Sequence, residues 1–458
     1  MATADNSQRL DAADALLWAV ERDPTLANNV ASLSVFDAEI EVGDLRHRLE
    51  RATRVVPRMR QRIVGNPASL SPPRWELDPD FDLDNHVRVI ECSGEPDDVL
   101  PLISPFFDAP FDREHPLFEV VVVQGMAGGR SALAVKAHHA IADGQGMLQI
   151  QAELFAFEPD TPPPELPVAP IAEPFSSSER LTNAVEFERN RALQAVRELG
   201  TALLSRRDDR GGDVVDHAVD TIAAAIRSIA PARPLSPILT ERSAETFHAI
   251  IDISLPDLRA AGRRAGTRLN SAFVAAVARG MGAFHERHGA PCSLLRMGMP
   301  ISIRTEADTD GAGNHLAPVR FEVPLTADQP DHLIEIVQAL TDSHRDDPAQ
   351  AVIRPAQELL GRLPTQLSGP IFGQVLRGSD FLTSNVPGSP VPVWIGSAKL
   401  LAQYPFGPTS AAAVNVTLLS YQDLAAVGVS IDRAATVDPE GLVECLREGF
   451  EWVVAAPD

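Results

Sequence analysis

The sequence predicts an α/β protein with two mixed α/β regions, and three observations predict it. Short β-branched runs alternate with longer amphipathic runs along most of the 458 residues, the pattern of sheets packed by helices. A proline-rich stretch interrupts them at residues 159–175 (PDTPPPELPVAPIAEPF). Its seven prolines cannot donate to a ladder or sit inside a helix, so it is a stiff, extended connector. Finally, 44% hydrophobic and 22% charged residues is the composition of a folded globular chain. The division that follows is an N-terminal domain over 1–158, a proline-rich and helical connector over 159–245, and a C-terminal domain over 246–458.

Element by element, Phe118 to Gln124 (FEVVVVQ) and Ser131 to Ala137 (SALAVKA), joined through Gly128-Gly129-Arg130, read as neighbouring buried strands. A helix should start near Gly146 and carry Met147, Ile150, Leu154 and Phe155 at helical spacing. After the proline connector, Ser178 can cap a helix whose Leu181, Val185, Ala192, Val196, Leu199 and Leu203 form one apolar stripe. A second stripe runs through Val215, Val219, Ile222, Ile226 and Ile229. Both are expected to pack on the body of the protein, with contact to a lipid surface as the alternative. In the last domain, strands are expected at His248–Ile253, Arg296–Arg304, Ala317–Leu325 and Ala411–Leu419, with helices near 256–264, 270–288, 328–345 and 438–456.

Charge and cysteine usage exclude whole classes. The formal net charge is −23, and of the 40 basic residues only Lys136 and Lys399 are lysines. Nucleic-acid binding needs a concentrated basic footprint, and charge-driven docking to anionic lipid needs the same. Cys92, Cys292 and Cys445 show no paired spacing, against both a disulfide framework and a Cys-rich zinc site. The start, MATADNSQRLDAADALLWAV, lacks a basic segment followed by an apolar core. A cytoplasmic protein, peripheral to a membrane at most, is expected.

The densest chemical signal is HHAIADG, His138 to Gly144. Successive side chains of a strand point to opposite faces, so only one of His138 and His139 faces a given cavity, and chelation of one metal by both is disfavoured. With no H-E-x-x-H helix and no cysteine partners, no metal site is expected. A strand-end imidazole suits general-base work, because its unperturbed pKa lies near physiological pH. Asp143 can orient the loop through an ion pair, and Gly144 permits a turn that a side chain would resist. Two structural histidines closing a strand remain the alternative. There is no G-x-S-x-G elbow and no phosphate loop, and GAGNHL at 311–316 lacks the third glycine of a dinucleotide fingerprint. A base without an evident nucleophile implies direct attack by a hydroxyl or amine on an activated acyl group.

HHAIADG resembles the HHxxxDG motif of the coenzyme A-dependent acyltransferase superfamily, which includes chloramphenicol acetyltransferases and peptide-synthetase condensation domains. The flanking sequence is similar to one branch, the bacterial wax ester synthase/diacylglycerol acyltransferases. The similarity runs through LDAADALLWAV (10–20), PRMRQRIV (57–64), WELDPDFDLDNHV (75–87), HPLFEV (115–120), MPISIRTE (299–306), GNHLAPVRFEVP (313–324) and SNVPGSP (384–390). The resemblance implies two chloramphenicol-acetyltransferase-like domains with mixed sheets and a substrate tunnel at their interface. It implies that His139 takes the proton from the acceptor hydroxyl, that His138 and Gly144 support the motif, and that Asp143 pairs with an arginine of the second domain, for which Arg304 is the candidate.

Two positions depart from the family pattern. Pro116-Leu117 is followed by Phe118 where the family often has Trp, which should alter pocket shape. Asn270-Ser271 stands where the family has Asn-Asp, leaving Asn270 to cap a helix or place a hydrogen bond in the tunnel. Asn385 and Gly388 in SNVPG look like a tight turn at the domain junction, acyl-binding by resemblance alone.

The function implied is transfer of a long-chain acyl group from acyl-CoA to diacylglycerol, or to a fatty alcohol, with no acyl-enzyme and no cofactor beyond acyl-CoA as substrate. The alanine-, arginine- and proline-rich composition resembles that of actinobacterial members, which commonly make triacylglycerol. A non-catalytic lipid-binding or lipid-body-associated protein is the alternative from another class, and acyl transfer to an amine or a polyketide hydroxyl is a third. In a −23 chain, an arginine patch must locally reverse the field where CoA phosphates enter. Contact with a membrane or lipid droplet would have to be apolar. Oligomeric state is left open.

Overall fold

The computed structural model describes residues 9–65, 71–141, 144–173, 175–205, 232–302, 316–345, 360–361 and 365–455. Its strands, in chain order, are β1 (Asn29–Phe36), β2 (Gln61–Val64), β3 (Arg74–Leu77), β4 (Val87–Glu91), β5 (Phe118–Met126), β6 (Arg130–His138), β7 (Thr246–Ser254), β8 (Leu294–Ser302), β9 (Leu316–Pro324), β10 (Phe381–Pro387), β11 (Trp394–Ile395), β12 (Ala398–Phe406), β13 (Val414–Tyr421) and β14 (Leu424–Asp432). They form two six-stranded sheets, ordered β11-β12-β1-β6-β5-β4 and β7-β14-β13-β10-β8-β9, plus the β2-β3 pair. Both large sheets mix parallel and antiparallel pairs: β4 runs parallel to β5, and β10 parallel to β8 and β13.

Period-two patterning explains how the first sheet is covered on both faces. Val120 and Val122 of β5 enter one core with Leu45, Leu49 and Trp75, while Val121 and Val123 enter another with Val99, Ile103 and Phe107. The second core also takes Ile250, Leu424 and Ala426, so it is the layer in which the two sheets meet. Residues of β14 sort the same way: Val427, Val429 and Ile431 pack in the C-terminal core, whereas Ala426 faces the first sheet. Gly428, on that inter-sheet face, has no room for a side chain, since a Cβ there would stand 1.8 Å from the Pro405 carbonyl oxygen.

The sequence boundary at 246 does not separate the sheets. β11 and β12 come from the C-terminal third of the chain yet pair with the first sheet, β12 lying antiparallel to β1 with Ala31 opposite Phe406. One extra residue, Leu401, bulges between the pairs Val35/Ala402 and Phe36/Leu400, which switches β12 from one core to the other along its length. In the second sheet the Leu269–Arg287 helix is buried nearly all round, and its Gly280 lies against the backbone at Cys445 of the Pro439–Val454 helix.

Predicted strands and helices recur within a few residues: the helix expected near Gly146 begins at Gly144 and ends at Leu154, leaving Phe155 beyond it, and the last predicted strand starts at Val414. Two expectations fail. The Ser177–Ser205 helix is capped by Ser176, not Ser178: the Ser176 hydroxyl takes the Glu179 N–H at 3.3 Å, and the Glu179 carboxylate takes the Ser176 N–H at 2.8 Å. The described members of its expected packing stripe face outward, with Leu181 41% and Val185 53% exposed. The inner face is held instead by the Arg180–Glu76 pair at 2.8 Å, by an Arg9–Asn183 hydrogen bond and by Arg9 over the Phe187 ring. Polar partners on the body outbid the apolar stripe. The second stripe, 215–229, and the GAGNHL segment lie outside the described residues. Among the described residues, no helix is long and apolar enough to cross a membrane.

Candidate active site

Four of the conspicuous sequence segments converge where β6 ends. His138 is the last residue of β6, opposite Asn29 of β1, and its N–H is donated to the Leu117 carbonyl at 2.9 Å. The next N–H, that of His139, goes to the Asn28 carbonyl at 3.0 Å. Arg58 donates to the Ala140 carbonyl at 2.9 Å, lies 3.7 Å from buried Asp14 and covers the Trp75 ring. Phe118 stacks on His86 with ring centroids 4.4 Å apart, and His115 meets Asp78 at 2.9 Å. That contact raises the His115 pKa, its hydrogen bond to Asp78 outweighing the effect of burial.

The two histidines have different surroundings. His138 is 2% exposed, and both ring nitrogens are committed: Nδ1 accepts the Ala140 N–H at 3.0 Å, so Nε2 carries the proton and donates to Glu21 at 2.7 Å. The Trp18 ring meets it edge-on at 5.7 Å. Burial alone would raise the Glu21 pKa, but the His138 contact, the Asn28 N–H and Arg113 together hold it below the usual carboxylate range. His138 therefore has no nitrogen left for substrate. His139 is only half-buried.

On the His138 side lies a cavity of about 240 Å³ between the two halves of the chain. Trp18, Phe107 and Leu117 wall it from the first half, and His248, Thr246 and Ser430 from the second. His248 and Ser430 are cross-strand partners in β7 and β14. Burial pushes the His248 imidazole down to about 3, with Arg433 adding to the effect. An unfolded histidine titrates near about 6.5, so between the two values the unfolded chain binds a proton that the folded chain does not. Stability contributed by neutral His248 is therefore complete above the unfolded pKa and drains as pH falls below it. Urea midpoints at about pH 5 and about pH 7 should differ more in wild type than in His248→Gln; equal differences would show that His248 is not the group.

Other residues singled out in the sequence are placed as follows. Leu117 is buried at the motif, and the Pro116 carbonyl takes the Phe118 N–H at 3.0 Å. Asn270 is not a cap, because Arg268 occupies that position; its amide instead reaches Met299 Sδ at 3.6 Å and Asn385 Nδ2 at 3.5 Å. Ser271 is buried and donates to Gln338 at 2.7 Å. Ser384 to Pro387 form strand, not a turn, since they pair in parallel with Thr417 to Ser420 of β13. Gly388 follows, where a Cβ would meet the Ser420 carbonyl oxygen at 2.3 Å. Gly144 opens the Gly144–Leu154 helix, while Asp143 and Arg304 lie outside the described residues. Sequence reasoning missed Glu21, Asn28, Arg58 and Arg113. Arg58 sits in a segment that carried the resemblance, and Glu21 directly follows another. Among the described residues, no three His, Cys, Asp or Glu side chains converge as a metal ion would require.

The profile of the wax ester synthase/diacylglycerol acyltransferase catalytic domain matches residues 10–273, and that of the family's C-terminal domain matches 312–453. The chain belongs to the wax ester synthase/diacylglycerol acyltransferase family. A Mycobacterium tuberculosis protein, provisionally named a diacylglycerol O-acyltransferase, is 32% identical over 98% of this chain and 92% of its own length. Another from the same organism is 28% identical over 98% and 97%. The solved wax ester synthase/diacylglycerol acyltransferase of Marinobacter aquaeolei VT8 superposes with a TM-score of 0.64 at 19% identity, covering 97% of this chain and 98% of that one. A variant starter condensation domain of rhizomide synthetase RzmA, solved with C8-CoA and Leu-SNAC, gives 0.58 at 14% identity over 98% and 94%. The two-domain α/β fold with mixed sheets is thus that of the family and of condensation domains.

Proposed function

We propose that this family member transfers a long-chain acyl group from acyl-CoA to the free hydroxyl of diacylglycerol, giving triacylglycerol. The observation that supports the mechanism is the commitment of both His138 nitrogens to Glu21 and Ala140, which takes that imidazole out of the role and favours its neighbour His139 as the base. His139 removes the acceptor hydroxyl proton as that oxygen attacks the thioester carbonyl. The tetrahedral intermediate collapses with cleavage of the C–S bond, and the departing CoA thiolate takes the proton back from the imidazolium. No acyl-enzyme forms. Asp143 and Arg304 are assigned the role of pinning the motif loop to the second domain, and wild-type activity and stability in Arg304→Ala would overturn that pairing.

The names of the relatives support diacylglycerol as acceptor. Wax ester synthesis from a fatty alcohol is the second reading, favoured by the double name of the matched family. Purified protein supplied with labelled acyl-CoA and either acceptor should form triacylglycerol faster than wax ester. The reverse order would replace the first reading by the second, and no product with any acceptor would leave a lipid-binding protein. Contact with the lipid that holds the acceptor is assigned to apolar side chains on the connector and its helix: Val168 is 93% and Ile171 84% exposed, with Leu181 and Val185 beyond them. Strong, salt-sensitive binding to anionic vesicles would contradict an apolar contact.

A further inference from the structure

Glu21 is tied to the histidine pair by more than one route. Its side chain is 8% exposed, and three donors converge on it. His138 Nε2–H at 2.7 Å and the Asn28 N–H at 2.9 Å share Oε1, while the Arg113 guanidinium reaches Oε2 at 2.7 Å. Each donor leads back to the motif. Asn28 offers its carbonyl to the His139 N–H at 3.0 Å, and its own amide is fixed by the Leu26 carbonyl at 3.0 Å. Arg113 belongs to the loop that ends at Leu117, whose carbonyl takes the His138 N–H at 2.9 Å. The other end of that loop is anchored by buried Lys136, which donates to the Ala109 carbonyl at 2.9 Å beneath the Phe106 and Phe111 rings. Arg113 also lies over Trp18, 4.0 Å from the ring centroid, the ring that meets His138 edge-on. Both backbone N–H groups of the pair and one of its imidazoles are therefore held by groups bonded to this carboxylate, or by the chain segments that carry them.

We propose that Glu21 is a positioning residue for the general base: its carboxylate fixes the His138 tautomer and, through Asn28 and Arg113, the backbone on which His139 is carried. The proposal rests on the reading of His139 as base. A carboxylate accepts several charge-assisted bonds at once through two oxygens, which fits three donors arriving from three chain segments. A glutamine keeps the Oε1 acceptor for His138 and Asn28, but the amide nitrogen that replaces Oε2 cannot accept from Arg113, so that one contact is lost. An alanine releases all three donors.

The variants should therefore be graded. Glu21→Ala is expected to lower kcat by ~10²-fold, the scale of a small misplacement of reacting groups, with the KM for acyl-CoA unchanged. Glu21→Gln should stay within about tenfold of wild type, the scale of one hydrogen bond lost while the two on Oε1 are kept. Imidazole proton–nitrogen NMR spectra give a readout independent of turnover. A hydrogen-bonded His138 Nε2–H signal, assigned by its loss in His138→Gln, should be present in wild type and Glu21→Gln and absent from Glu21→Ala. Should the alanine variant fail to fold, Glu21→Asp withdraws the carboxylate by one methylene and is expected to lose about tenfold in kcat at unchanged KM. Wild-type kcat in Glu21→Ala or Glu21→Asp, a loss confined to KM, or a glutamine variant as impaired as the alanine one would each overturn the proposal. His139→Ala run alongside separates the two readings. If it retains wild-type activity, the base assignment fails and the positioning role with it; if it is inactive while Glu21→Ala has wild-type kcat, only the positioning role fails.

Discussion

His139→Ala should lose about 10²–10⁴-fold in kcat, the usual contribution of a well-placed general base, while its melting temperature stays near that of wild type. Two features of the site support the second half of this expectation. The His139 ring is half-buried and so is not a core element whose loss opens a large cavity. Its strand-end position is held by backbone, through the Asn28 carbonyl, and survives truncation of the side chain. His138→Ala should behave differently. That ring is 2% exposed and bonded at both nitrogens, so its removal strands Glu21 and should lower stability and activity together. Comparable rates for wild type and His139→Ala would remove the base from the mechanism.

The second large effect is on the fold. Gly428→Ala should destabilise by about 3 kcal/mol, the upper range for overpacking, and activity should fall with it. The added methyl would meet main chain, with Pro405 O at 1.8 Å and Pro405 C at 2.8 Å, so no rotamer change relieves it. Neither strand is free to retreat. β14 is paired on both sides, by β7 and β13, and Pro405 is registered against Ser32 of β1. Gly428 also precedes Ser430 on the face that walls the cavity. A denaturation midpoint equal to that of wild type would show that the sheets can part by the width of a methyl group without cost.

What the sequence disclosed of this molecule follows the reach of each signal. β5 and β6 were readable because both faces of the first sheet are buried, which writes a near-continuous apolar run into FEVVVVQ. β12 was not: Ala398 to Phe406 contains a lysine, a glutamine, a proline and a bulge, and its pairing with β1 joins positions far apart in the chain. The outward turn of Leu181 and Val185 was hidden because patterning assumes that the apolar side of a helix packs, and here Glu76 and Arg9 hold the polar side. At the site, the histidine pair was legible as a local motif. Glu21 was not, since a glutamate just after a helix reads as a solvated charge, and its meaning comes from an imidazole 117 positions away.

The return of β12 to the first sheet sets a timetable for the newborn chain. β1 pairs with β6 on one side and with β12 on the other, so until residues 398–406 have left the ribosome β1 is an open edge. An open edge recruits strands from other chains, and such long-range closure is slow and exposed to aggregation. The wall that β12 contributes to the cavity through Phe406 arrives on the same schedule. More than nine-tenths of the polypeptide, through Ser430, must therefore be made before the His138 side of the motif is enclosed, and a chain truncated before residue 398 would carry the motif without that enclosure.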